Sequence, residues 1–522
     1  MARILIAEDD ELQAEVRRIL LESEGHEVRI AHTAAEAVAL DWEPQVLLAD
    51  LRLPTEPDGM ALIGYFRQAM PRVKIIVLSG LEGETPLADV RLRKPAKPGI
   101  LLETIAKLAM CLALAIAPLT GQSIAFELDR AGEATAELEF SSPSSDWTTP
   151  GREGALAEIR VDAGTPFHVM LHQTARHKYP VFLGFLKAGP HTLNITRRPE
   201  HSAVGSEVMF HAIAARAVPP TDPATFAPVM YARKNTIGKF SDIPIFCYYE
   251  RGFENGQPIL EYTVIFSNED GGTSTRGLMA RWGRTTDIEY VYRVYLKQDG
   301  GFDRAIVQGR GHKDVLYDGP KEGQHPLLIP VTDNNMVAGE GPSPVRYQLL
   351  PEPADLRNAS REQTMDDRPW SYRVAAAELM REGKLRDPGA VDGEKIGDPR
   401  HYIYIEATVE NVNARVAPMV RLRNDQRWRM GNLGKHELAI ERSGWIRTTI
   451  ELPPATAASQ IAEIGFQCLG EKLQPGACTV RTVTKIFQLG PGFLPLPSFA
   501  SLLNVNQTIP AGEAYTWTLG SK

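Results

Sequence analysis

Short apolar runs alternate with helical stretches through the first hundred residues. Ile4–Ala7 and Val46–Ala49 contain no polar residue, which is typical of strands buried on both faces of a sheet. Between them, Leu12–Leu20 carries apolar residues at the three- and four-residue spacing of a helix. The alternation continues through further predicted strands at residues 27–31, 73–79 and 90–92. This repetition predicts a right-handed, doubly wound parallel sheet.

From residue 123 onward, the pattern changes to short runs in which apolar and polar residues alternate. The chain contains 43 Gly and 38 Pro residues, and most of them lie after residue 120, between these runs. Alternating runs separated by such turns are typical of half-buried strands in β-sandwiches. We therefore expect the remainder of the chain to be rich in antiparallel sheet.

With 522 residues, the chain is too long for one domain. We predict a multidomain protein in which an α/β flavodoxin-like domain precedes all-β domains of the sandwich or jelly-roll kind. The predicted segments are the first domain at 1–108, an apolar junction at 109–122, a β-sandwich at 123–217, a β-rich central domain at 224–351, a linker at 352–369, a sandwich or jelly-roll-like domain at 370–488, and a Pro/Gly-rich tail with a terminal strand at 489–522.

The junction is unusually apolar. Leu108–Leu119 is apolar over twelve residues, fewer than the roughly 20 that a membrane-spanning helix needs, so no transmembrane span is predicted. Its length matches a signal-peptide core, and Ala115–Ala117 resembles a cleavage site, although Pro118 follows directly. Two interpretations stay open. Either the last helix of the first domain extends, or residues 120–522 have an extracytoplasmic origin and became joined to that domain.

Composition excludes some classes of function. The net charge of -8 argues against a general nucleic-acid binder, which would show a basic face. The four cysteines form no CxxC pair. Cys468 and Cys478 could close one short loop in an exported protein or remain reduced thiols, and the sequence favours neither.

Chemically useful side chains follow the predicted strands of the first domain. Glu8 and Asp9 come after the first strand and Asp50 ends the third, while Ser79 and Lys94 follow the fourth and fifth. The carboxyl ends of parallel strands form the ligand-binding edge of such a sheet. Carboxylates bind Mg²⁺, an aspartate can become an acyl phosphate, and lysine neutralises phosphoryl oxygens. The pattern therefore predicts a site for phosphoryl transfer.

This pattern resembles the response-regulator receiver domain of two-component signalling, over residues 3–108. The matching residues are Glu8-Asp9, Asp50, Gly59, Ser79-Gly80 and Lys94-Pro95. The resemblance implies that Asp50 is the phosphoacceptor in a phosphorelay, that a histidine kinase is the phosphodonor, and that the receiver is cytoplasmic. No family is recognised in residues 120–522.

The resemblance also implies a cofactor and a role for each matching side chain. Mg²⁺ would be bound directly by Asp9, Asp50 and the carbonyl of Arg52, with Glu8 acting through water. Ser79 and Lys94 would contact the phosphoryl group.

Two departures from the family pattern affect the surface that normally signals to partners. Only fourteen residues separate Ser79 from Lys94, and they include Gly83 and Pro86, so the fourth helix is predicted to be shortened or lost. Arg91 occupies the position, three residues before the lysine, where the family often has an aromatic residue. We therefore expect phosphorylation chemistry with an altered output.

Polar clusters in the β-rich part suggest several weaker sites. The turn Asn268–Gly272 could bind Ca²⁺ or form a polar hairpin turn. The run Arg281–Asp287 could stack on a sugar or cover a strand end by cation–π contact. These features, together with the predicted sandwiches, suggest an alternative function, a carbohydrate- or surface-binding protein fused or misjoined to a receiver.

Histidines provide the remaining candidates. His312 and His325, with Asp318 between them, could form an acid–base set of a hydrolase if they converge in one pocket. His168, His172 and His177 lie in one short segment with strand-like flanks, and we expect them to be surface residues.

Overall fold

The structure is a computed structural model that describes residues 3–40, 42, 44–70, 73–80, 87–102, 104–105, 121–339, 341, 343–387, 395–471 and 475–519. The chain divides into two compact units, Met1–Thr120 and Gly121–Lys522. The predicted junction lies, apart from its last two residues, outside the described residues. So do residues 81–86, where the shortened fourth helix was expected.

The first unit contains the predicted parallel sheet, and the flavodoxin-like fold is confirmed. The five strands are ordered β2-β1-β3-β4-β5, and each neighbouring pair is parallel. The strands are β1 (Arg3–Ala7), β2 (Glu27–Ala31), β3 (Val46–Asp50), β4 (Lys74–Ser79) and β5 (Val90–Arg93). The helices are α1 (Glu11–Ser23), α2 (Ala34–Ala39) and α3 (Glu56–Ala69), and residues 98–102 and 104–105 are also helical.

Helix α1 forms where the apolar spacing predicts it, but it buries different residues. Asp10 caps the helix, because its Oδ1 accepts a hydrogen bond from the Gln13 N–H at 3.0 Å. The buried residues of α1 are Ala14 and Leu21. The apolar side chains that define the spacing remain largely exposed: Leu12, Val16 and Ile19.

The second unit is β-rich, and its first part is a sandwich. A three-stranded sheet, β10-β7-β12, shares a hydrophobic core with part of a nine-stranded sheet. The three strands are β7 (Gly132–Ser141), β10 (His177–Leu186) and β12 (Met209–Val218). The nine-stranded sheet contains β6 (Gln122–Leu128), β8 (Ala155–Val161), β9 (Phe167–Leu171), β11 (Gly189–Arg197), β13 (Val229–Tyr231), β19 (Lys321–Glu322), β20 (His325–Pro330), β21 (Val337–Ala338) and β22 (Arg346–Tyr347).

This large sheet crosses a predicted domain boundary. Strand β22 pairs with β9 at Tyr347 and His168, so the segments predicted as a sandwich at 123–217 and a central domain at 224–351 share one sheet. The Pro-rich segment near residue 220 therefore connects two strands and does not separate two domains. The sequence does not reveal this, because the pairing partners lie far apart along the chain.

A second sheet and three helices form the centre of the unit. The sheet order is β18-β17-β16-β15-β14-β23. Its strands are β14 (Pro244–Glu254), β15 (Gln257–Phe266), β16 (Asp287–Leu296), β17 (Phe302–Gly309), β18 (Lys313–Leu316) and β23 (Pro351–Pro353). The helices are α4 (Thr275–Trp282), α5 (Gln363–Asp366) and α6 (Trp370–Arg381). The largest hydrophobic core of the unit includes residues from this sheet, α4, α5 and α6.

The segment predicted as a linker, 352–369, is packed into this core. It contains α5, and Ser360, Glu362 and Met365 in it are buried. The following residues, where the predicted sandwich or jelly-roll-like domain begins, form helix α6. A polar, Pro-containing composition predicts a linker, whereas Ser360 and Glu362 are buried and have hydrogen-bonding partners.

Two further sheets form the C-terminal sandwich around a separate core. One contains β24 (Tyr402–Val412), β27 (Gly444–Glu451), β29 (Ala477–Gln488), β30 (Ala500–Leu502) and β31 (Gln507–Pro510). The other contains β25 (Ala414–Leu422), β26 (Trp428–Met430), β28 (Ile461–Gly470) and β32 (Ala514–Thr518). The predicted tail, 489–522, thus supplies three strands to the sandwich. Cys468 in β28 and Cys478 in β29 form a disulfide between the two sheets.

Six short 3₁₀ segments connect these described elements, at Pro199–His201, Pro223–Phe226, Pro399–His401, His436–Leu438, Ala458–Gln460 and Pro491–Phe493. Within the described part of the chain, no helix is both long and apolar enough to cross a membrane.

Candidate functional site

The strand ends of the first unit bring three carboxylates together. Strands β1 and β3 are neighbours with Ala7 opposite Ala49, so the acids that follow them meet at one edge of the sheet. Ligand oxygens of Glu8, Asp9 and Asp50 all lie within 4.8 Å of one another. Three oxygen donors at this spacing fit a hard divalent cation such as Mg²⁺. No other group of three or more acids, histidines and cysteines in the described ranges has this arrangement.

Lys94 contacts two of these carboxylates. Its Nζ lies 2.6 Å from Asp50 Oδ2 and 2.9 Å from Glu8 Oε2. Glu8 is only 1% exposed and also forms an ion pair with Arg17 of α1. A buried carboxylate requires such compensation, so Glu8 both completes the acidic group and orients the lysine. The sequence analysis missed Arg17, although its position one to two turns into α1 places it beside the end of β1.

The hydroxyl at the end of β4 lies beside an unexpected cation. Ser79 is buried, and its Oγ accepts a hydrogen bond from Arg91 Nη2 at 3.3 Å. Arg91 is the residue that replaces the aromatic side chain common in the family, so its guanidinium reaches a group expected to contact the phosphoryl moiety. Arg52 is exposed, and its N–H donates to Asp50 Oδ1 at 3.2 Å. A role for the Arg52 carbonyl as a metal ligand stays a prediction.

Gly59 in α3 allows the segment after Asp50 to lie close to the helix. A Cβ atom on Gly59 would stand 2.1 Å from the Leu51 carbonyl oxygen and 3.0 Å from that of Asp50. The close approach therefore depends on the absence of a side chain at this position.

The similarities to known proteins lie in the first unit. Residues 4–96 match the response regulator receiver domain family. Similar solved structures include a CheY-like receiver domain protein from Methanospirillum hungatei JF-1, with 32% identity over 21% of this chain and 95% of that chain (TM-score 0.20). A second is the response regulator protein TrrA from Thermotoga maritima in complex with Mg²⁺-BeF, with 25% identity over 21% of this chain and 99% of that chain (TM-score 0.20). A third is a Francisella receiver domain, with 24% identity over 21% of this chain and 98% of that chain (TM-score 0.20). No curated protein matches the chain.

The N-terminal segment of this chain belongs to the response regulator receiver family. It therefore has a response-regulator-type phosphoacceptor role, and the acidic pocket is the feature with which receiver domains bind Mg²⁺.

Residues of the weaker sites suggested in the second unit contact other side chains of that unit. In the Asn268–Gly272 turn, Asp270 pairs with Arg233 at 2.9 Å and accepts a hydrogen bond from Ser241 at 2.8 Å. In the run Arg281–Asp287, Trp282 lies under the guanidinium group of Arg281, at 4.2 Å from the ring centroid. These contacts agree with a polar turn and a cation–π contact, and nothing in the described residues supports a carbohydrate ligand.

The hydrogen bonds of His312 and His325 do not connect these residues into the acid–base set suggested for a hydrolase. His325 is buried, where Nδ1 lies 2.8 Å from the Ala227 carbonyl oxygen and Nε2 lies 3.1 Å from Glu133 Oε1. His312 is exposed and lies 3.3 Å from the Asn334 amide nitrogen. In the described part of the chain, the two histidines share no hydrogen-bond partner.

The expectation of surface histidines at 168, 172 and 177 is wrong. His168 and His172 are buried, and the His172 ring stacks on Trp370 with 5.0 Å between centroids. His177 packs edge-on against the same indole at 4.9 Å. Strand-like flanks do not reveal this cluster, because Trp370 arrives from α6, about two hundred residues later.

This cluster gives the second unit an acid-sensitive component. Desolvation lowers the pKa of His177 from its ordinary 6.5 to about 4. As the pH falls from 6.5 toward 4, the unfolded chain binds a proton that the folded chain does not, so the free energy of unfolding decreases. We expect His177→Gln to reduce this pH dependence, measured by urea unfolding between pH 7 and 4. His312→Gln, at an exposed histidine, is the control, and an equal slope in wild type and His177→Gln would contradict the prediction.

Proposed function

We propose that this chain is a phosphorelay response regulator in which a histidine kinase transfers a phosphoryl group to Asp50. The observation that carries the proposal is the contact of Lys94 Nζ with Asp50 Oδ2 at 2.6 Å, within the only described carboxylate group that fits a divalent cation. Residues 121–522 would form the output part. A kinase of this kind acts in the cytoplasm, so the proposal includes a cytoplasmic location for the receiver.

The chemistry follows from the residues around Asp50. An Asp50 carboxylate oxygen attacks phosphorus, a new O–P bond forms, and the P–N bond to the kinase histidine breaks with the electron pair leaving on nitrogen. Lys94 neutralises charge on the phosphoryl oxygens, and the Ser79 hydroxyl donates a hydrogen bond to one of them. Mg²⁺, held by Asp9 and Asp50 with Glu8 nearby, would supply further charge neutralisation when bound.

Helix α1 supports the proposal of a protein partner. It begins at Glu11, directly after the acidic pocket, and exposes Leu12, Val16 and Ile19 at helical spacing. Apolar side chains arranged in this way are typical of surfaces that pack against a partner helix. Such a partner would approach the phosphoacceptor along α1.

The test is phosphorylation of the full-length chain by acetyl phosphate in the presence of Mg²⁺. We expect an intact-mass increase of one phosphoryl group in the wild type and none in Asp50→Ala. Asp58→Ala, which replaces another acid of the same domain, is the matched control and should still be phosphorylated. Absence of the added mass in the wild type, or its persistence in Asp50→Ala, would refute the proposal.

A further inference from the structure

Four arginines from three separate chain segments lie near one another in the second unit, and the guanidinium groups of two of them lie over the Trp282 ring. We call this group the arginine cluster, and its members are Arg281, Arg284, Arg361 and Arg442. Helix α4 carries Arg281, and Arg284 follows two residues after the helix ends. Strand β27 anchors the helix, since Thr448 Oγ1 donates to the Ala280 carbonyl at 2.6 Å and Thr449 Oγ1 donates to that of Met279 at 2.7 Å.

The cluster contains more guanidinium groups than ion pairs. Its one ion pair within the described ranges joins Arg284 Nε to Glu362 Oε1 at 3.1 Å. The side chains of Arg361 and Arg442 form neither a hydrogen bond nor an ion pair with any described residue, although Arg442 lies over the Trp282 ring at 5.2 Å from its centroid. Desolvation, together with repulsion from the three other arginines, lowers the pKa of Arg442 to about 10.

Two glutamates close to the cluster bind their protons more tightly than usual. Burial and the neighbouring Asp287 raise the pKa of Glu269 to about 7 and that of Glu289 to about 9. Glu289 therefore retains its proton at neutral pH and can donate a hydrogen bond instead of pairing with an arginine.

Ligands can reach part of the cluster, because Arg361 is exposed and Arg281 and Arg442 are only half-buried. Guanidinium groups bind phosphate, sulfate and carboxylate groups through paired, charge-assisted hydrogen bonds. A tetrahedral dianion can accept bonds from several guanidinium groups at once, which a single carboxylate does less well.

We propose that the arginine cluster is a binding site for the tetrahedral oxyanion, phosphate or sulfate, of a small-molecule ligand. The bound group would neutralise the cluster, and Trp282 would form one wall of the site. This site lies in the second unit and does not depend on phosphorylation of Asp50.

The experiment is calorimetric titration of the full-length, Mg²⁺-free chain with sodium phosphate and, separately, sodium sulfate. Sodium chloride at equal ionic strength is the reference. We expect saturable binding of one or both oxyanions, weakened about tenfold or more in Arg442→Gln and in Arg361→Gln, as loss of a charge-assisted hydrogen bond requires. Binding of phosphate alone would identify a phosphate ester as the ligand class, and binding of sulfate alone a sulfate ester.

Arg304→Gln is the matched control, because Arg304 is exposed and also stacks on an aromatic ring, Tyr295, at the opposite end of β16. It should bind as the wild type does. Absence of saturable binding in the wild type, or equal affinity in wild type, Arg361→Gln and Arg442→Gln, would overturn the proposal. Because Arg361 is exposed, its variant provides the test even if Arg442→Gln does not fold.

Discussion

Replacing Arg447 with Met is expected to destabilise the second unit by about 3–5 kcal/mol. Arg447 is completely buried in β27, and its Nη2 lies 2.8 Å from Asp366 Oδ2 and 2.9 Å from Glu406 Oε2. Its Nη1 is 3.2 Å from the Tyr372 hydroxyl. Without the guanidinium, the carboxylate of Glu406, itself 1% exposed, is left in the core. Among the described residues, its one remaining cationic neighbour is then Lys485, at 3.9 Å.

Urea unfolding of the full-length chain, followed by tryptophan fluorescence, measures this effect, since six of the 7 tryptophans lie in residues 121–522. Arg481→Met is the control in the same sandwich, because Arg481 forms an exposed pair with Glu410 that should contribute about 0–1 kcal/mol. Adding Glu406→Gln to Arg447→Met should restore part of the stability, since it removes the orphaned charge. If Arg447→Met lowers the free energy of unfolding no more than Arg481→Met does, the buried ion pairs of Arg447 do not have the stabilising role described.

Replacing Gly59 with Ala is expected to destabilise the receiver by about 3 kcal/mol and to impair phosphorylation of Asp50. The new Cβ atom would stand 2.1 Å from a backbone oxygen and 2.7 Å from the carbonyl carbon of Leu51, so α3 or the segment after β3 must move. Because Leu51 directly follows Asp50, the displacement reaches the proposed phosphoacceptor.

Hydrogen-exchange mass spectrometry on peptides from the first hundred residues reports the stability of this unit within the full-length chain. Gly64→Ala, in the same helix, is the matched control, because nothing lies within 4 Å of the Cβ position there. That change should be neutral or stabilising by up to about 1 kcal/mol, since alanine favours helices. Similar protection from hydrogen exchange in Gly59→Ala and the wild type would show that the close approach of α3 to the Leu51 carbonyl does not constrain the site.

The first unit could be predicted in detail because its determinants are local. Continuous apolar runs identify strands buried on both faces, and the acids that follow them identify the edge at which they meet. The side on which α1 packs could not be predicted, because Leu12 and Val16 carry the apolar spacing while Ala14 makes the buried contact. Similarly, the contact of Arg91 with Ser79 depends on the pairing of β4 with β5 and leaves no signal in the spacing.

The sequence by itself determined that a parallel α/β domain with a phosphoacceptor-type strand edge precedes a β-rich remainder. Tertiary structure alone decided how that remainder is divided. Strand β22 joins β9 across more than 170 residues. Asp366, in the polar segment before Trp370, pairs with the buried Arg447, and His172 and His177 pack against Trp370 of α6. A parallel pairing such as that of β22 with β9 joins segments that are distant in the sequence, and buried polar residues are accepted only when partners compensate them. Neither condition can be recognised within one stretch of chain.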